Sequence, residues 1–371
     1  MLKSKIVSSL DASGITVGGY GKHDIHICDE RTYKAILRGT LGMGEAYMNG
    51  WWYANDIDAF VSHAVKSMFG RSLSATNLVK FALLSQIRNA QRVARAFAVA
   101  EEHYDLHPEI YSAMLDERMT YTCGYYGRGA KTLDQAQFDK LDLVCEKLGL
   151  KPGDRVLDIG CGFGSFAEFA AKNYDVNVTG ATVSEGQLVV AKQRTQGLPV
   201  QYLLQDYRKL DGEQFDHIVS IGMFEAVGYK NYVEFMKVAD RMLKPGGTFL
   251  LHTIGMATSE TCGDPWFDKY IFPNGMMPSL AQITKAIEGR FIVEDWHSFG
   301  EDYDTTLMEW WKNFNRAWRS ESFTQEYDER FYRMWKLYLR GSAGLFRARH
   351  LQLWQFVFTR GDAPSKRVTI R

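Results

Sequence analysis

VLDIGCGFGSF, residues 156–166, joins a strand-like apolar run to a helical pattern through a glycine-rich turn. Asp158 lies within the apolar run, and Gly160, Gly162 and Gly164 follow at every second position. Glycines at the carboxyl end of a strand let a ligand lie against the backbone. A dinucleotide fingerprint would read G-x-G-x-x-G, and here the third glycine comes one position early. The pattern therefore favours S-adenosylmethionine, an adenosyl ligand that carries an amino acid, over NAD.

Strand and helix patterns alternate from this stretch onward. The predicted strands are RVLDIG, VNVTGA, VQYLLQ, HIVSIG, TFLLHTI, FIVEDWHSF and LQLWQFVFTR, and helical patterns lie between most of them. Such an order predicts a mostly parallel sheet with helices on both faces. We therefore predict an α/β fold: a Rossmann-like class I methyltransferase with a seven-stranded mostly parallel sheet.

The first 85 residues have a different pattern. ITVGGY and HDIHIC look like short strands, and glycines interrupt the stretch RGTLGMGEAYMNGWW. The chain of 371 residues is longer than one hydrophobic core usually serves. We predict a small N-terminal domain over 1–85 and a second domain, which carries the glycine-rich turn, over 86–371.

The bulk composition limits the possible partners and the compartment. Lys+Arg and Asp+Glu both number 44, so the net charge indicates no polyanionic partner, and we predict no nucleic acid. The five cysteines form no CxxC pair, which argues against a zinc cluster or a disulfide framework and favours a reducing cytoplasm. We see no signal-peptide pattern and no run of roughly 20 apolar residues that would span a membrane. A lipid substrate would therefore be met at the membrane surface.

The ends of the next two strands offer further cofactor contacts. Thr182, at the turn, and Gln187, in the following helix, can hydrogen-bond a ribose or a carboxylate. Alternatively, Ser184 and Gln187 form a helix capping box, and both roles can hold together. In QDYR, Asp206 can accept from the adenine amino group and Tyr207 can stack on the ring.

Many short motifs in one order resemble the cyclopropane-fatty-acyl-phospholipid synthases, within the cyclopropane and mycolic acid synthase family. They are HYDLHPEIYSAMLD, MTYTCGYY, VLDIGCGFG, QDYR, IGMFEAVG, LLHTIG, KYIFPNG, DYDTT and AGLFRARHLQLWQ, together with LGMGEAYMNGWW near the N-terminus. The resemblance covers nearly the whole chain, and it implies that the domain over 1–85 is lipid-associated and that the domain over 86–371 is the methyltransferase catalytic domain. It implies an S-adenosylmethionine-dependent C-methyltransferase that adds a methylene across a cis double bond of a phospholipid acyl chain. It further implies that the reaction passes through a carbocation, which a bound bicarbonate deprotonates.

The same resemblance implies the site residues. The bicarbonate positions are Cys123, Glu225, His252, the backbone of Ile254, and Tyr303. Glu225 can accept from the bicarbonate OH, while His252, Tyr303 and the Ile254 amide donate to its oxygens. Cys123 could instead be a thiolate nucleophile, but a buried thiol usually stays neutral, and we expect a ligand or packing role. The cofactor-binding set is Tyr121, Thr122, Asp158, Gly160, Cys161, Gly162, Thr182, Gln187, Asp206 and Tyr207.

The expected partners are unsaturated phospholipids at the inner face of the membrane and a second copy of the chain. The resemblance implies a homodimer in the cytoplasm that associates peripherally with the membrane. Arg88, Arg92 and Arg95 share one face of a predicted helix. This face is either simply solvated or a basic patch for anionic headgroups.

The sequence departs from the family pattern at three places. Ala226 stands where relatives usually have histidine, and His107-Pro108 stand where Gly-Asn is common, in a loop that can affect lipid preference. Ser342 stands where some relatives carry cysteine, so a thiol is not essential there. His103 and His107 are four residues apart, but a third ligand is not apparent, and we predict no metal.

Two other functions remain open from the sequence. A related enzyme could methylate the acyl chain without closing a ring, or methylate a small amine. A non-catalytic lipid-binding protein could retain a vestigial cofactor site, although the intact glycines, Glu225 and His252 argue against it.

Overall fold

The computed structural model describes residues 2–67, 108–320, 326–363, 366 and 368–371. These residues form two compact units. The described part of the helical unit lies within 2–67, 261–273 and 303–351, and that of the sheet unit within 108–260, 274–302 and 352–371. The predicted boundary at residue 85 lies outside the described residues, so the division into 1–85 and 86–371 stays a prediction.

The helical unit has seven helices in its described residues. They are α1 Leu2–Ala12, α2 Arg31–Ile36, α3 Gly39–Met48, α4 Ile57–Lys66, α10 Pro265–Tyr270, α12 Glu301–Arg319 and α13 Glu329–Arg347. Strands β1 Ile25–Ile27 and β2 Trp52–Ala54 pair antiparallel. The segment HDIHIC contributes β1 as predicted. The prediction of a strand at ITVGGY was wrong, because Gly18 has a φ of 80° and only Val17 makes a bridge to Ile25.

The glycine-rich stretch before β2 is a helix rather than a series of turns. A Cβ at Gly44 would lie 2.1 Å from Cδ1 of Trp266, so the indole packs directly on the α3 backbone. The Trp52 indole in turn donates to the Met43 carbonyl at 2.9 Å. Packing against aromatic rings therefore outweighs the low helix propensity of glycine here.

In its described residues the sheet unit contains seven strands, and all seven were predicted. They are β3 Arg155–Ile159, β4 Asn177–Thr182, β5 Val200–Leu204, β6 Phe215–Ile221, β7 Leu243–Met256, β8 Phe291–Ser298 and β9 Leu351–Arg360. Their order across the sheet is β5-β4-β3-β6-β7-β9-β8. The first five strands in this order, β5, β4, β3, β6 and β7, pair in parallel. Strand β9 pairs antiparallel to β8. The predicted seven-stranded, mostly parallel methyltransferase sheet is thus confirmed.

Helices cover this sheet. They are α5 Pro108–Met114, α6 Leu133–Leu148, α7 Ser165–Tyr174, α8 Glu185–Arg194, α9 Tyr232–Met242 and α11 Leu280–Ile287. Along β3, Leu157 and Ile159 belong to one core cluster and Val156 to another. Side chains alternate between the faces of a strand, so both faces of β3 are buried. Within the described residues, no helix has the length and apolarity that a membrane crossing needs.

Candidate active site

The glycine turn after β3 keeps its backbone open to a ligand. Gly160, Gly162 and Gly164 have φ values of 85°, 53° and 78°, in the left-handed region that favours glycine. A Cβ at Gly160 would lie 2.4 Å from Cγ of Met223, so this glycine packs against the protein. A Cβ at Gly162 would meet nothing within 4 Å. Gly162 therefore faces free space, as the cofactor prediction requires.

Asp158, on β3 just before this turn, is buried at 2% exposure. Burial raises the pKa of Asp158 to about 7, and the positive charge of Lys140 opposes this rise. Lys140 lies on α6 at 1% exposure and donates to Thr122 Oγ1 at 2.9 Å. Gln137, one turn earlier, donates to the Thr122 carbonyl at 2.7 Å. Lys140 thus acts on two candidate cofactor residues: it donates a hydrogen bond to Thr122, and its charge favours the ionised form of Asp158.

The candidates after β4 cap a helix. Thr182 ends β4, and its hydroxyl accepts from the Ser184 amide at 3.1 Å. Ser184 is the N-cap of α8 and accepts from the Gln187 amide at 3.2 Å. Ser184 is thus the predicted N-cap, but its amide donates to Thr182 and not to the Gln187 side chain, so the reciprocal half of the predicted capping box does not form. The contacts of Thr182 and Gln187 with ribose or carboxylate stay predictions.

Asp206 and Tyr207, after β5, are both engaged within the protein. The Asp206 carboxylate accepts from the Arg208 amide at 2.9 Å and pairs with its guanidinium at 2.8 and 2.6 Å. The Tyr207 ring packs 5.2 Å from that of Phe235 in the core. Adenine would therefore have to share Asp206 with Arg208, and the predicted contacts of both residues stay predictions.

Glu225 lies in a short 3-10 turn, Phe224–Ala226, after β6. The residue as a whole is partly exposed, but its carboxylate is buried. Its Oε1 accepts from the Ile254 amide at 2.6 Å, whereas its Oε2 has no hydrogen-bond partner. Burial raises the pKa of Glu225 to about 7, while the hydrogen bond from the Ile254 amide limits the rise. An unsatisfied buried oxygen is costly, so Oε2 is ready to accept from a ligand. The Ile254 amide holds Glu225 here, and its predicted donation to bicarbonate stays a prediction.

His252 lies on β7, opposite Ile221 of β6, at 1% exposure. The Gln355 side-chain amide donates to His252 Nδ1 at 3.2 Å, which leaves the ring proton on Nε2. Nε2 is buried without a partner. Burial lowers the pKa of His252 well below its ordinary value, and the charge of Lys140 acts in the same direction. His252 is therefore a neutral donor with a free N–H.

The other candidates differ in their surroundings. Cys123 is completely buried and its Sγ lies 3.1 Å from the Gly124 carbonyl, which agrees with a ligand or packing role. Cys161 is buried at the glycine turn, and burial raises the pKa of its thiol. The Tyr121 ring meets that of Tyr111 edge-on, at 5.2 Å. Tyr303 belongs to the helical unit, where its ring stacks on Phe346 at 4.6 Å.

Several predictions concern residues outside the described part of the chain. These are the basic face of Arg88, Arg92 and Arg95 and the pair His103 and His107. In the part that the structure describes, no group of three or more His, Cys, Asp or Glu side chains could hold a metal ion.

Three polar residues of the site were missed from the sequence. Lys140 and Gln137 interrupt the buried apolar side of α6, and a lysine at such a position is a usable signal for a functional charge. Gln355 lies in the middle of buried strand β9, where its contact with His252, 103 residues away, leaves no local signal.

Comparisons with known proteins agree with this geometry. A family model described as mycolic acid cyclopropane synthetase matches residues 91–356. The chain is 48% identical over 362 residues to the cyclopropane-fatty-acyl-phospholipid synthase of Escherichia coli, covering 97% of this chain and 94% of that protein. It is 32% identical to a tuberculostearic acid methyltransferase of Mycobacterium tuberculosis, covering 92% and 83%. A solved mycolic acid cyclopropane synthase, complexed with SAH and CTAB, matches with a TM-score of 0.65 at 33% identity, covering 71% of this chain and 97% of that chain.

Proposed function

The chain belongs to the mycolic acid cyclopropane synthetase family and is an S-adenosylmethionine-dependent methyltransferase, and on this premise we propose its substrate and its base. The substrate is the cis double bond of an unsaturated phospholipid acyl chain, which becomes a cyclopropane ring. The base that removes the last proton is a bound bicarbonate.

The observation that carries this proposal is the pair of unsatisfied atoms on Glu225 and His252. Strands β6 and β7 are hydrogen-bonded neighbours, and the Gly222 amide donates to the His252 carbonyl at 2.9 Å. The Ile254 amide, two residues beyond His252, holds Glu225 Oε1. The site therefore offers an acceptor without a hydrogen-bond partner, Glu225 Oε2, and a donor without one, His252 Nε2. Bicarbonate has an OH to donate and oxygens to accept, which matches this pair.

The residues fix the anion rather than react themselves. S-adenosylmethionine, when bound, supplies the methyl carbon, and bicarbonate supplies the base. Ionised Glu225 accepts from the bicarbonate OH, so the hydrogen bond lies between two negative groups and offsets their repulsion. Neutral His252 donates to another oxygen. The buried surroundings exclude water, which would otherwise trap the cationic substrate as an alcohol.

Support for the cofactor contacts comes from the glycine turn. Gly162 has open space where its Cβ would be. The carboxyl of Asp158 lies near the end of strand β3, which leads into this turn. We assign S-adenosylmethionine to this turn, with Tyr121, Thr122, Gly160, Cys161, Thr182, Gln187, Asp206 and Tyr207 as the remaining contacts. In this assignment the Arg208 guanidinium orients the Asp206 carboxylate.

The lipid side of the proposal rests on the resemblance. We propose that residues 1–85 form the lipid-associated domain, and that the protein acts as a cytoplasmic homodimer on the inner face of the membrane. Cys123 and Tyr303 complete the bicarbonate site in this proposal. Co-sedimentation with unsaturated vesicles and light scattering of the purified protein measure membrane association and oligomeric state.

Mass spectrometry of phospholipid acyl chains from cells that make the protein tests the reaction. Cyclopropanation adds one CH2 unit to an unsaturated chain and leaves a product that resists hydrogenation. The similarity to a tuberculostearic acid methyltransferase favours, as the second candidate, methylation without ring closure. A product that adds one CH2 unit but takes up hydrogen would support that candidate and refute ring formation. No turnover of labelled S-adenosylmethionine on unsaturated vesicles would refute both.

A further inference from the structure

Helix α6 carries two lysines that are almost completely buried, and only one has an ordinary explanation. Lys147, at 0% exposure, pairs with the Asp295 carboxylate at 3.0 Å. Lys140, at 1% exposure, donates instead to a hydroxyl, Thr122 Oγ1, at 2.9 Å. Lysines are rarely buried without a paired charge, because removing an ammonium from water is costly. The position of Lys140 therefore needs a reason other than local stability.

The segment that Lys140 holds lies at the proposed cofactor site. Gln137 binds the Thr122 carbonyl while Lys140 binds its hydroxyl, so α6 holds this residue at two atoms. On its other side, the Thr122 methyl group lies 2.6 Å from the position of a Cβ at Gly222, which has a φ of 68°. Gly222 begins the loop that carries Glu225. A shift of Thr122 would therefore disturb its contacts both with α6 and with the loop that begins at Gly222.

The charge of Lys140 also acts on Asp158. Burial raises the pKa of Asp158 to about 7 and lowers that of Lys140 to about 8, and each group favours the charged form of the other. The charge of Asp116 favours the charged form of Lys140 more strongly than that of Asp158 does, but the Asp116 carboxylate also accepts from the Thr120 and Arg118 amides, at 2.7 and 3.2 Å. The other titratable groups that act on or respond to this pair are Cys123, Cys145, Cys161, Tyr202 and His252.

We propose that Lys140 is a positioning residue of the cofactor site, which fixes Thr122 and serves as the counter-charge of Asp158 without contacting the ligand. This inference rests on the proposed function only through the assignment of Thr122 and Asp158 to S-adenosylmethionine. It explains why a lysine is kept in the core with a hydroxyl partner. It also makes the affinity for S-adenosylmethionine sensitive to pH through Asp158.

The test compares Lys140→Met with Lys147→Met, a matched control on the same helix. The control leaves Asp295 paired with Arg371, at 2.6 and 3.0 Å, so the carboxylate keeps a counter-charge. Calorimetry measures the affinity for S-adenosylmethionine at a series of pH values, and a melting curve measures stability. We expect Lys140→Met to weaken binding about tenfold near neutral pH. We expect Lys147→Met to lower the melting temperature and leave the affinity unchanged.

The pH profile separates positioning from a general loss of structure. Loss of the ammonium raises the pKa of Asp158 further above about 7, so the carboxyl of the variant is neutral at physiological pH. Binding that needs the carboxylate should then recover only at higher pH. The midpoint of the affinity profile should move upward in Lys140→Met and stay in place in Lys147→Met.

Variants at Thr122 test the hydrogen bond itself and remain informative if Lys140→Met does not fold. Thr122→Val removes the acceptor and should weaken binding, whereas Thr122→Ser keeps the hydroxyl and should restore it. Wild-type affinity and an unmoved midpoint in Lys140→Met, or equal affinities for Thr122→Val and Thr122→Ser, would overturn the inference. A wild-type protein that binds S-adenosylmethionine but forms no cyclopropane product would instead overturn the proposed function alone.

Discussion

Glu225→Gln replaces a half-satisfied carboxylate with an amide of nearly the same size. The amide oxygen can still accept from the Ile254 amide, as Oε1 does at 2.6 Å. The NH2 group then takes the place of Oε2, and a donor faces the bicarbonate OH where an acceptor is needed. Losing one preorganised charged contact in a site without water costs about 3 kcal/mol, so we expect about a hundredfold loss of rate. Cofactor affinity should be unchanged.

Stability should change in the opposite direction. The pKa of Glu225 rises from 4.5 to about 7 on folding, so the ionised form is disfavoured in the native protein by at most about 3 kcal/mol. Below pH 4.5 the carboxyl is protonated in both states and nothing is lost; above about 7 the full cost applies. The amide does not titrate. The melting temperature of Glu225→Gln relative to wild type should therefore rise as the pH increases between these two values.

The assay measures rate against bicarbonate concentration in carbonate-depleted buffer, with melting curves at several pH values. Added bicarbonate should partly restore the rate of the variant if weaker anion binding is the main loss. If Glu225 merely ties down the end of its strand, the variant should melt earlier and respond to bicarbonate as the wild type does. That combination would refute the reasoning.

Three further changes test other parts of the description. Gly162→Ala should abolish the binding of S-adenosylmethionine measured by calorimetry. It should lower the free energy of unfolding by only about 1 kcal/mol, because Gly162 has a positive φ but open space around it. Wild-type affinity would exclude this turn as the site. Changing Arg88, Arg92 and Arg95 together to Gln should weaken binding to anionic vesicles and its salt dependence; unchanged co-sedimentation at low salt would support a solvated face. Gly44→Ala should destabilise the helical unit by several kcal/mol, because the new Cβ would overlap an indole ring; an unchanged melting curve would contradict that packing.

The sheet could be predicted because each strand is an apolar run that ends in a turn signal. The first two-stranded sheet shows the limit of this reasoning. ITVGGY has the composition of a strand, but the positive φ at Gly18 ends the extended backbone. The glycine-rich α3 looks like a loop because its partner, Trp266, lies 222 residues after Gly44 and nothing local indicates the contact.

The candidate site shows the same division between local and distant information. Gly162 and Asp158 follow from a local motif, whereas Glu225 and His252 were identified by resemblance. Lys140 was missed because its hydrogen bond to Thr122 joins residues 18 apart, and neither residue alone indicates the pairing.

The order of strands in the sheet has a consequence for synthesis. Among the described strands, β8 has β9 as its one neighbour, and α12 and α13 lie between them in the chain. A nascent chain therefore presents β8 on the ribosome with no strand paired to it until β9 has emerged. Unpaired apolar strands promote aggregation. Chains interrupted before Leu351 should therefore be prone to aggregate, because β8 is protected only when β9 pairs with it.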